Sequence, residues 1–98
     1  MTRERLTETT VEQVTGLYKA LSDPTRLKIL LEIAAGEIAV NEIAAAIEAK
    51  QSTVSHQLRV LKQAKLVKTR REGTTIYYTL DDPHVMMILK QTIAHVTH

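Results

Sequence analysis

Three of the four histidines in this 98-residue sequence fall within its last fifteen positions, close to an aspartate that precedes a proline. Imidazole nitrogens and carboxylate oxygens are ligands that zinc and cobalt(II) accept in proteins. The sequence contains no Cys, which excludes thiolate metal sites, disulfides and cysteine nucleophiles. The candidate metal ligands are Asp82, His84, His95 and His98.

The spacing of these residues fits two copies of one helix. His84 and His95 are almost three helical turns apart, and His95 and His98 are i, i+3 neighbours, so the three histidines share one face. His84 and His95 are separated by roughly 16 Å along the axis, whereas zinc–nitrogen bonds are about 2 Å long. In an antiparallel helix pair, however, Asp82 and His84 would meet the partner's His95 and the partner's His98. We therefore expect two equivalent tetrahedral sites between two subunits.

Single members of this set have simpler interpretations. Asp82 directly precedes Pro83 and is a good helix cap whatever else it does. His98 occupies the last position, where helices fray. Three histidines on one face, with a carboxylate at its far end, indicate a metal site more strongly than any one of these residues does alone.

A second chemical feature is a basic stretch in the middle of the sequence. From Lys50 to Arg71 there are seven basic residues and no Asp or Glu, whereas the remaining six basic residues share the rest of the chain with all eleven acidic ones. A basic block in an otherwise acidic chain predicts a polyanionic partner. A solvated surface is the alternative, and the elements that carry the block favour the polyanion.

Hydrophobic periodicity predicts five helices and one hairpin. Apolar residues at helical spacing predict four helices before any strand, at roughly 9–21, 24–35, 40–47 and from 51 onward. Runs rich in β-branched and aromatic residues then predict two strands, 66–71 and 75–80, joined by a turn at Gly73. The last helix, 83–97, carries a largely apolar stripe that we expect to form a dimer interface: Val85, Ile88, Leu89, Thr92, Ile93 and Val96.

Two short helices joined by a tight turn and followed by a hairpin are typical of a winged helix-turn-helix. The predicted fold is therefore mainly α with a β-hairpin: one domain, 1–98, with dimerisation helices at both ends. Polar and basic residues on the fourth helix and hairpin would contact bases and phosphates of double-stranded DNA. These are Ser52, Thr53, Ser55, His56, Arg59, Lys62, Lys68, Arg70 and Arg71. Ser52 has helix capping as an equal alternative, and His56 has a phosphate contact or no role.

Two segments carry a resemblance to a known family. The runs KALSDPTRLKIL (19–30) and QSTVSHQLRVLKQAKLV (51–67) resemble the ArsR/SmtB family of metal-sensing repressors, and the likeness extends from about Val11 to His98. It implies a homodimer that releases operator DNA when metal binds. Segments 78–84 and 89–98 resemble the last-helix site of the CzrA-type zinc and cobalt sensors, which favours Asp82 over Asp81. The Cys-bearing motif of the family's other site is absent, which argues against arsenic and cadmium sensing.

These patterns together predict a metal-responsive transcriptional repressor with Zn(II), or Co(II), as its effector. We expect no enzymatic activity, no small-molecule substrate and no membrane association, and we expect the protein in the cytoplasm, since no apolar run spans a bilayer. The main alternative is a winged-helix regulator that metal does not control. A metal-dependent hydrolase is disfavoured because three His and one Asp leave no open position for water. A pure dimerisation module is disfavoured by the basic hairpin.

Overall fold

The computed structural model describes residues 5–98 as five helices and three short strands. The helices are α1 (Glu8–Leu21), α2 (Pro24–Ala34), α3 (Val40–Ile47), α4 (Gln51–Gln63) and α5 (Pro83–Thr97). The strands are β1 (Ile38–Ala39), β2 (Val67–Glu72) and β3 (Thr75–Leu80). The pair α3–α4, followed by the β2–β3 hairpin, confirms the predicted winged helix-turn-helix. No helix in this part of the chain is long and apolar enough to span a membrane.

Local signals explain where α2 and α5 begin. The Asp23 side chain accepts a hydrogen bond from the Arg26 backbone N–H, and Pro24 takes the first helical position. Asp82 and Pro83 have the same relation to α5, with Asp82 accepting from the backbone N–H groups of His84 and Val85. In both places a carboxylate satisfies amide groups that a helix leaves unpaired at its start.

Strand β1 is a feature that the sequence pattern did not predict. Its two residues pair antiparallel with β3, Ile38 with Tyr78 and Ala39 with Tyr77, so the sheet has the order β1-β3-β2. Two residues are too few to produce a recognisable alternation of side chains. Pairing with β3 makes this segment a strand, and it joins the hairpin to the helical body.

The hairpin turn is shorter than predicted. Glu72 pairs with Thr75 at the end of the ladder, so the loop contains only Gly73 and Thr74. Gly73 has φ 62°, a left-handed conformation that glycine adopts without steric cost. Leu66, predicted as the first strand residue, instead donates its N–H to the Leu61 carbonyl and closes the end of α4.

The core lies where α2, α3, α4 and the sheet meet. The inner face of α4 is fully buried there: Val54, Leu58 and Leu61 are at most 1% exposed. From α5, Val85 and Leu89 pack into the same core. The expected dimer stripe is therefore wrong for these two residues, because they cover their own domain, whereas the later stripe residues Ile93 and Val96 are exposed.

Candidate DNA interface and metal ligands

Helix α4 presents one apolar and one polar face. While Val54, Leu58 and Leu61 are buried, every α4 residue predicted to contact DNA is exposed. These residues are Ser52, Thr53, Ser55, His56, Arg59 and Lys62. A basic and hydroxyl-bearing face of this composition suits the donors and acceptors of the major groove and its flanking phosphates.

The start of α4 decides one of the alternatives for Ser52. The N-cap of the helix is Lys50, which makes no side-chain capping hydrogen bond, and Ser52 already lies within the first turn. Ser52 is therefore not the cap. Because no N-cap side chain accepts from the first amide N–H groups of α4, these groups are available to a phosphate.

Arg26 ties this helix to the rest of the domain. Its Nε donates to the Ala20 carbonyl at 2.7 Å, one terminal nitrogen to the Lys19 carbonyl at 3.1 Å, and the other to the Gln57 side-chain oxygen at 3.0 Å. One guanidinium thus connects the end of α1 with the middle of α4. The Gln57 side chain accepts this hydrogen bond within the domain and is not part of the exposed face of α4.

The three basic residues predicted on the wing differ in their surroundings. Lys68, Arg70 and Arg71 are all exposed, but neighbours on a strand point to opposite sides, so Arg71 lies on the other face from Lys68 and Arg70. The Arg70 guanidinium is 2.7 Å from a Glu37 oxygen and 2.8 Å from a Glu72 oxygen. Of the three, only Arg70 has an ion pair among residues 5–98.

These contacts alter the charge equilibria of the cluster. The hydrogen bond from Arg70 lowers the pKa of Glu37, since it stabilises the carboxylate more than the acid. The same hydrogen bond from Arg70 to Glu37, with a second to Glu72, raises the pKa of Arg70. Glu37 and Arg70 are therefore both ionised near neutral pH.

Asp82 and His84 lie together at the start of α5. The Asp82 Oδ1 atom is 3.3 Å from the His84 Nδ1 atom, and two ligands of a tetrahedral zinc with bonds of about 2 Å are about 3.3 Å apart. The capping hydrogen bonds of Asp82 also go to Oδ1. Desolvation acts to raise the pKa of Asp82, but hydrogen bonds from the amides of His84 and Val85 outweigh it and the net pKa is lowered.

His95 and His98 form a second pair at the other end of α5. Their ring centroids are 6.1 Å apart, with the rings stacked, and both residues are exposed. Within residues 5–98 of a single chain, no three His, Asp or Glu side chains are close enough to hold a metal ion. The predicted ligands are thus brought together in two pairs, one at each end of the helix.

Exposed apolar side chains accompany these pairs. On α1, Val11, Val14 and Tyr18 are 44%, 43% and 65% exposed at i, i+3 and i+7. On α5, Ile93 and Val96 are 39% and 73% exposed. Apolar residues on one face of a helix are normally buried, so the first and last helices leave area for a further contact.

Two residues with structural roles at these sites were not found from the sequence. Glu37 reaches Arg70 across 33 positions of sequence, and Arg26 reaches Gln57 across 31. Neither pair has a local signal, because such contacts depend on how the elements pack. The sequence places Arg26 in the first turn of α2, three residues after the capping Asp23, but it does not predict the contacts of the guanidinium.

Comparisons with known proteins agree with this architecture. The family described as "Bacterial regulatory protein, arsR family" matches residues 23–69. The "Transcriptional repressor SmtB homolog" of Synechocystis sp. is 41% identical over 87% of this chain and 64% of its own length. The "Cadmium resistance transcriptional regulatory protein CadC homolog" of Staphylococcus aureus is 42% identical over 84% of this chain and 69% of its own. The chain thus spans about two thirds of these relatives.

A solved structure gives the same result for the fold. The solution structure of the homodimeric winged helix-turn-helix DNA-binding domain Mb0332 from Mycobacterium bovis, described as a possible ArsR-family regulator, superposes with a TM-score of 0.87. It is 33% identical, and the match covers 96% of this chain and 90% of that one. The names of the two sequence relatives describe regulators of transcription. The chain is a winged helix-turn-helix transcriptional regulator of the ArsR/SmtB family.

Proposed function

We propose that this protein is a homodimeric repressor that binds operator DNA through α4 and the β2–β3 wing and releases it when Zn(II), or Co(II), binds between the two α5 helices. The observation that carries the proposal is the pairing of potential ligands. Asp82 and His84 lie at one end of an exposed helix face, and His95 and His98 lie at the other. Each pair supplies half of a tetrahedral site.

The DNA part rests on the exposed face of α4. Its hydroxyl, imidazole and basic side chains project from a helix whose other face is locked in the core. Lys62, Lys68 and Arg71 extend the positive charge from the end of α4 to the wing. Phosphate contacts of this kind supply affinity that falls with salt, whereas contacts to base edges supply specificity.

The dimer part rests on the exposed apolar residues of α1 and α5. Two-fold pairing of these helices would bury Val14, Tyr18 and Val96, which a single chain leaves to solvent. The neighbouring structure Mb0332 is homodimeric by its own description. An antiparallel α5 pair also brings each Asp82–His84 pair to the partner's His95 and the partner's His98.

The chemistry of the donors indicates the class of metal. The CadC homolog is named for cadmium resistance, but this chain has no Cys and therefore no thiolate for a soft metal. Three imidazoles and one carboxylate suit tetrahedral zinc or cobalt(II). Bound there, the metal would supply a cross-link between subunits.

Release follows from a population shift. The dimer must exist in one shape that fits two successive major grooves and another that does not. If the four ligands converge only in the second shape, their ligation of metal favours it, and bound DNA weakens metal binding by the same factor. Ligands at the ends of α5 fix the angle between the two subunits, which sets the distance between the two α4 helices.

The alternative is a family member that metal does not control. The capping role of Asp82 favours this alternative. Its carboxylate accepts hydrogen bonds from the backbone N–H groups of His84 and Val85, which accounts for an aspartate at this position without a bound metal. The two functions differ in one measurement. Fluorescence anisotropy of a labelled duplex from upstream of the protein's own gene should show at least tenfold weaker binding with zinc, about 1.4 kcal/mol of coupling. Equal affinity with and without zinc would leave the regulator and exclude the sensor.

Substitutions of Asp82 can separate its role as a helix cap from its proposed role as a metal ligand. Serine caps a helix about as well as aspartate but has no carboxylate, so Asp82→Ser should keep the unfolding free energy within about 0.5 kcal/mol and weaken zinc binding at least tenfold. Asp82→Ala should lose about 1 kcal/mol of stability as well. Chemical denaturation and zinc titration against a chelator measure the two effects. If Asp82→Ser bound zinc as well as the wild type, Asp82 would be only a cap.

A further inference from the structure

Arg70 is surrounded in a way that the other predicted DNA contacts are not. Each of its three guanidinium nitrogens donates to a carboxylate: Nε and one terminal nitrogen to the two Glu37 oxygens at 3.1 and 2.7 Å, and the other terminal nitrogen to Glu72 at 2.8 Å. The guanidinium carbon also lies 4.9 Å from the centre of the Tyr77 ring. A bidentate pair of this kind has one well-defined geometry.

The contact crosses the whole sheet. Arg70 is on the outer strand β2, Tyr77 is its directly paired neighbour on β3, and Tyr77 pairs in turn with Ala39 on β1. Glu37 lies just before β1, between α2 and the sheet. The side chain of Arg70 therefore fastens the projecting hairpin to the segment that joins it to the helical body.

The local charge argues against a phosphate contact at this position. One guanidinium with two carboxylates gives the cluster a net charge of −1, which repels a polyanion. Three of the five guanidinium N–H groups of Arg70 already donate to carboxylates, so a phosphate at this position would have to share the guanidinium with Glu37 and Glu72 or displace one of them. Lys68 and Arg71 have no carboxylate within ion-pair distance in the described part of the chain, so they are the better candidates on the wing.

Exposure shows which kind of role the cluster has. The side chains of Arg70, Glu37 and Glu72 are 49%, 35% and 69% exposed, and ion pairs this open to water contribute little to global stability. Orientation is a different matter, because a fork with three charge-assisted hydrogen bonds and a ring beneath it restricts the angle of the hairpin.

We propose that Arg70 is a positioning residue that sets the angle of the wing through Glu37 and does not itself contact DNA. This inference rests on the proposed DNA binding. Its sharpest consequence is the effect of Glu37→Gln. That change removes a negative charge from the neighbourhood of a polyanion, and simple electrostatics would tighten binding. A loosened wing would weaken it.

The test measures affinity for the labelled promoter duplex over a range of salt concentrations. We expect Glu37→Gln and Arg70→Gln each to weaken binding about 3- to 10-fold, and the double variant to be no weaker than either single one. The slope of log K against log salt should stay at the wild-type value in Arg70→Gln. Arg71→Gln, the matched control, should reduce that slope by about 1. Tighter binding by Glu37→Gln, or a slope reduced in Arg70→Gln, would overturn the proposal.

A second readout does not depend on DNA. Amide hydrogen exchange in β2 should be faster in both Glu37→Gln and Arg70→Gln than in Arg71→Gln, with exchange in α4 unchanged. If the wild type failed to bind DNA, the proposed function would be wrong, but faster exchange in the two variants would still support the positioning role of Arg70. Unchanged exchange in β2 would exclude that role even if the protein bound DNA.

Discussion

Val14→Glu should convert the protein to a single 11.0 kDa chain and weaken its binding to promoter DNA at least about 100-fold. Val14 is 43% exposed at the centre of the apolar face of α1. A glutamate there would place an unpaired carboxylate, and its symmetry mate, in a dehydrated interface, which costs several kcal/mol. A monomer keeps one α4 and one wing and so loses half of its DNA contacts.

Thr9→Glu is the matched control for this variant. It adds the same charge to the same helix, at an exposed position almost opposite Val14 on the helical wheel. It should leave the dimer and DNA affinity intact. Sedimentation equilibrium measures the mass, and circular dichroism shows whether the fold remains. A Val14→Glu protein that stays dimeric would place the dimer interface elsewhere on the molecule.

His95→Ala should abolish the response of DNA binding to zinc while leaving zinc-free affinity unchanged. His95 is exposed near the end of α5, and it does not belong to the α4 face that is proposed to contact DNA. Loss of an outer hydrogen-bonding partner typically costs 10- to 100-fold in metal affinity, so loss of a ligand should cost at least about 100-fold. At zinc concentrations that saturate the wild type, the variant would then remain on DNA.

His56→Ala supplies the converse result. It removes the one histidine outside the α5 set, from the exposed face of α4. It should weaken DNA binding with and without zinc by the same factor and leave the ratio of the two affinities unchanged. The measurements are anisotropy titrations of both variants at matched salt. The metal site is misplaced if His95→Ala keeps the zinc response.

The sequence alone determined the order and kind of the main elements. The Asp-Pro pairs at 23–24 and 82–83 mark the starts of α2 and α5 because capping is a local interaction between neighbours. The apolar spacing of α4 identified its buried face for a similar reason, since one face of one helix is set by residues three and four apart. The polar face, with its basic residues, then followed as the complement.

The sequence also brought the four candidate ligands to one helix, in two pairs at its two ends. Their place in the family pattern selected Asp82, and helical geometry required a second copy. Both pairs are local: His95 and His98 are i, i+3 neighbours on the helix, whereas the capping position of Asp82 places its carboxylate beside His84.

Tertiary structure decided what depends on residues far apart in the sequence. Strand β1 exists because Ile38 and Ala39 meet β3, and Arg70 has a carboxylate partner distant in sequence because the sheet places Glu37 beside it. The stripe on α5 was divided because Val85 and Leu89 enter their own core, a choice that helical periodicity cannot make between two apolar environments. Local rules identify which side chains avoid water, whereas only the packing of distant segments determines what they contact.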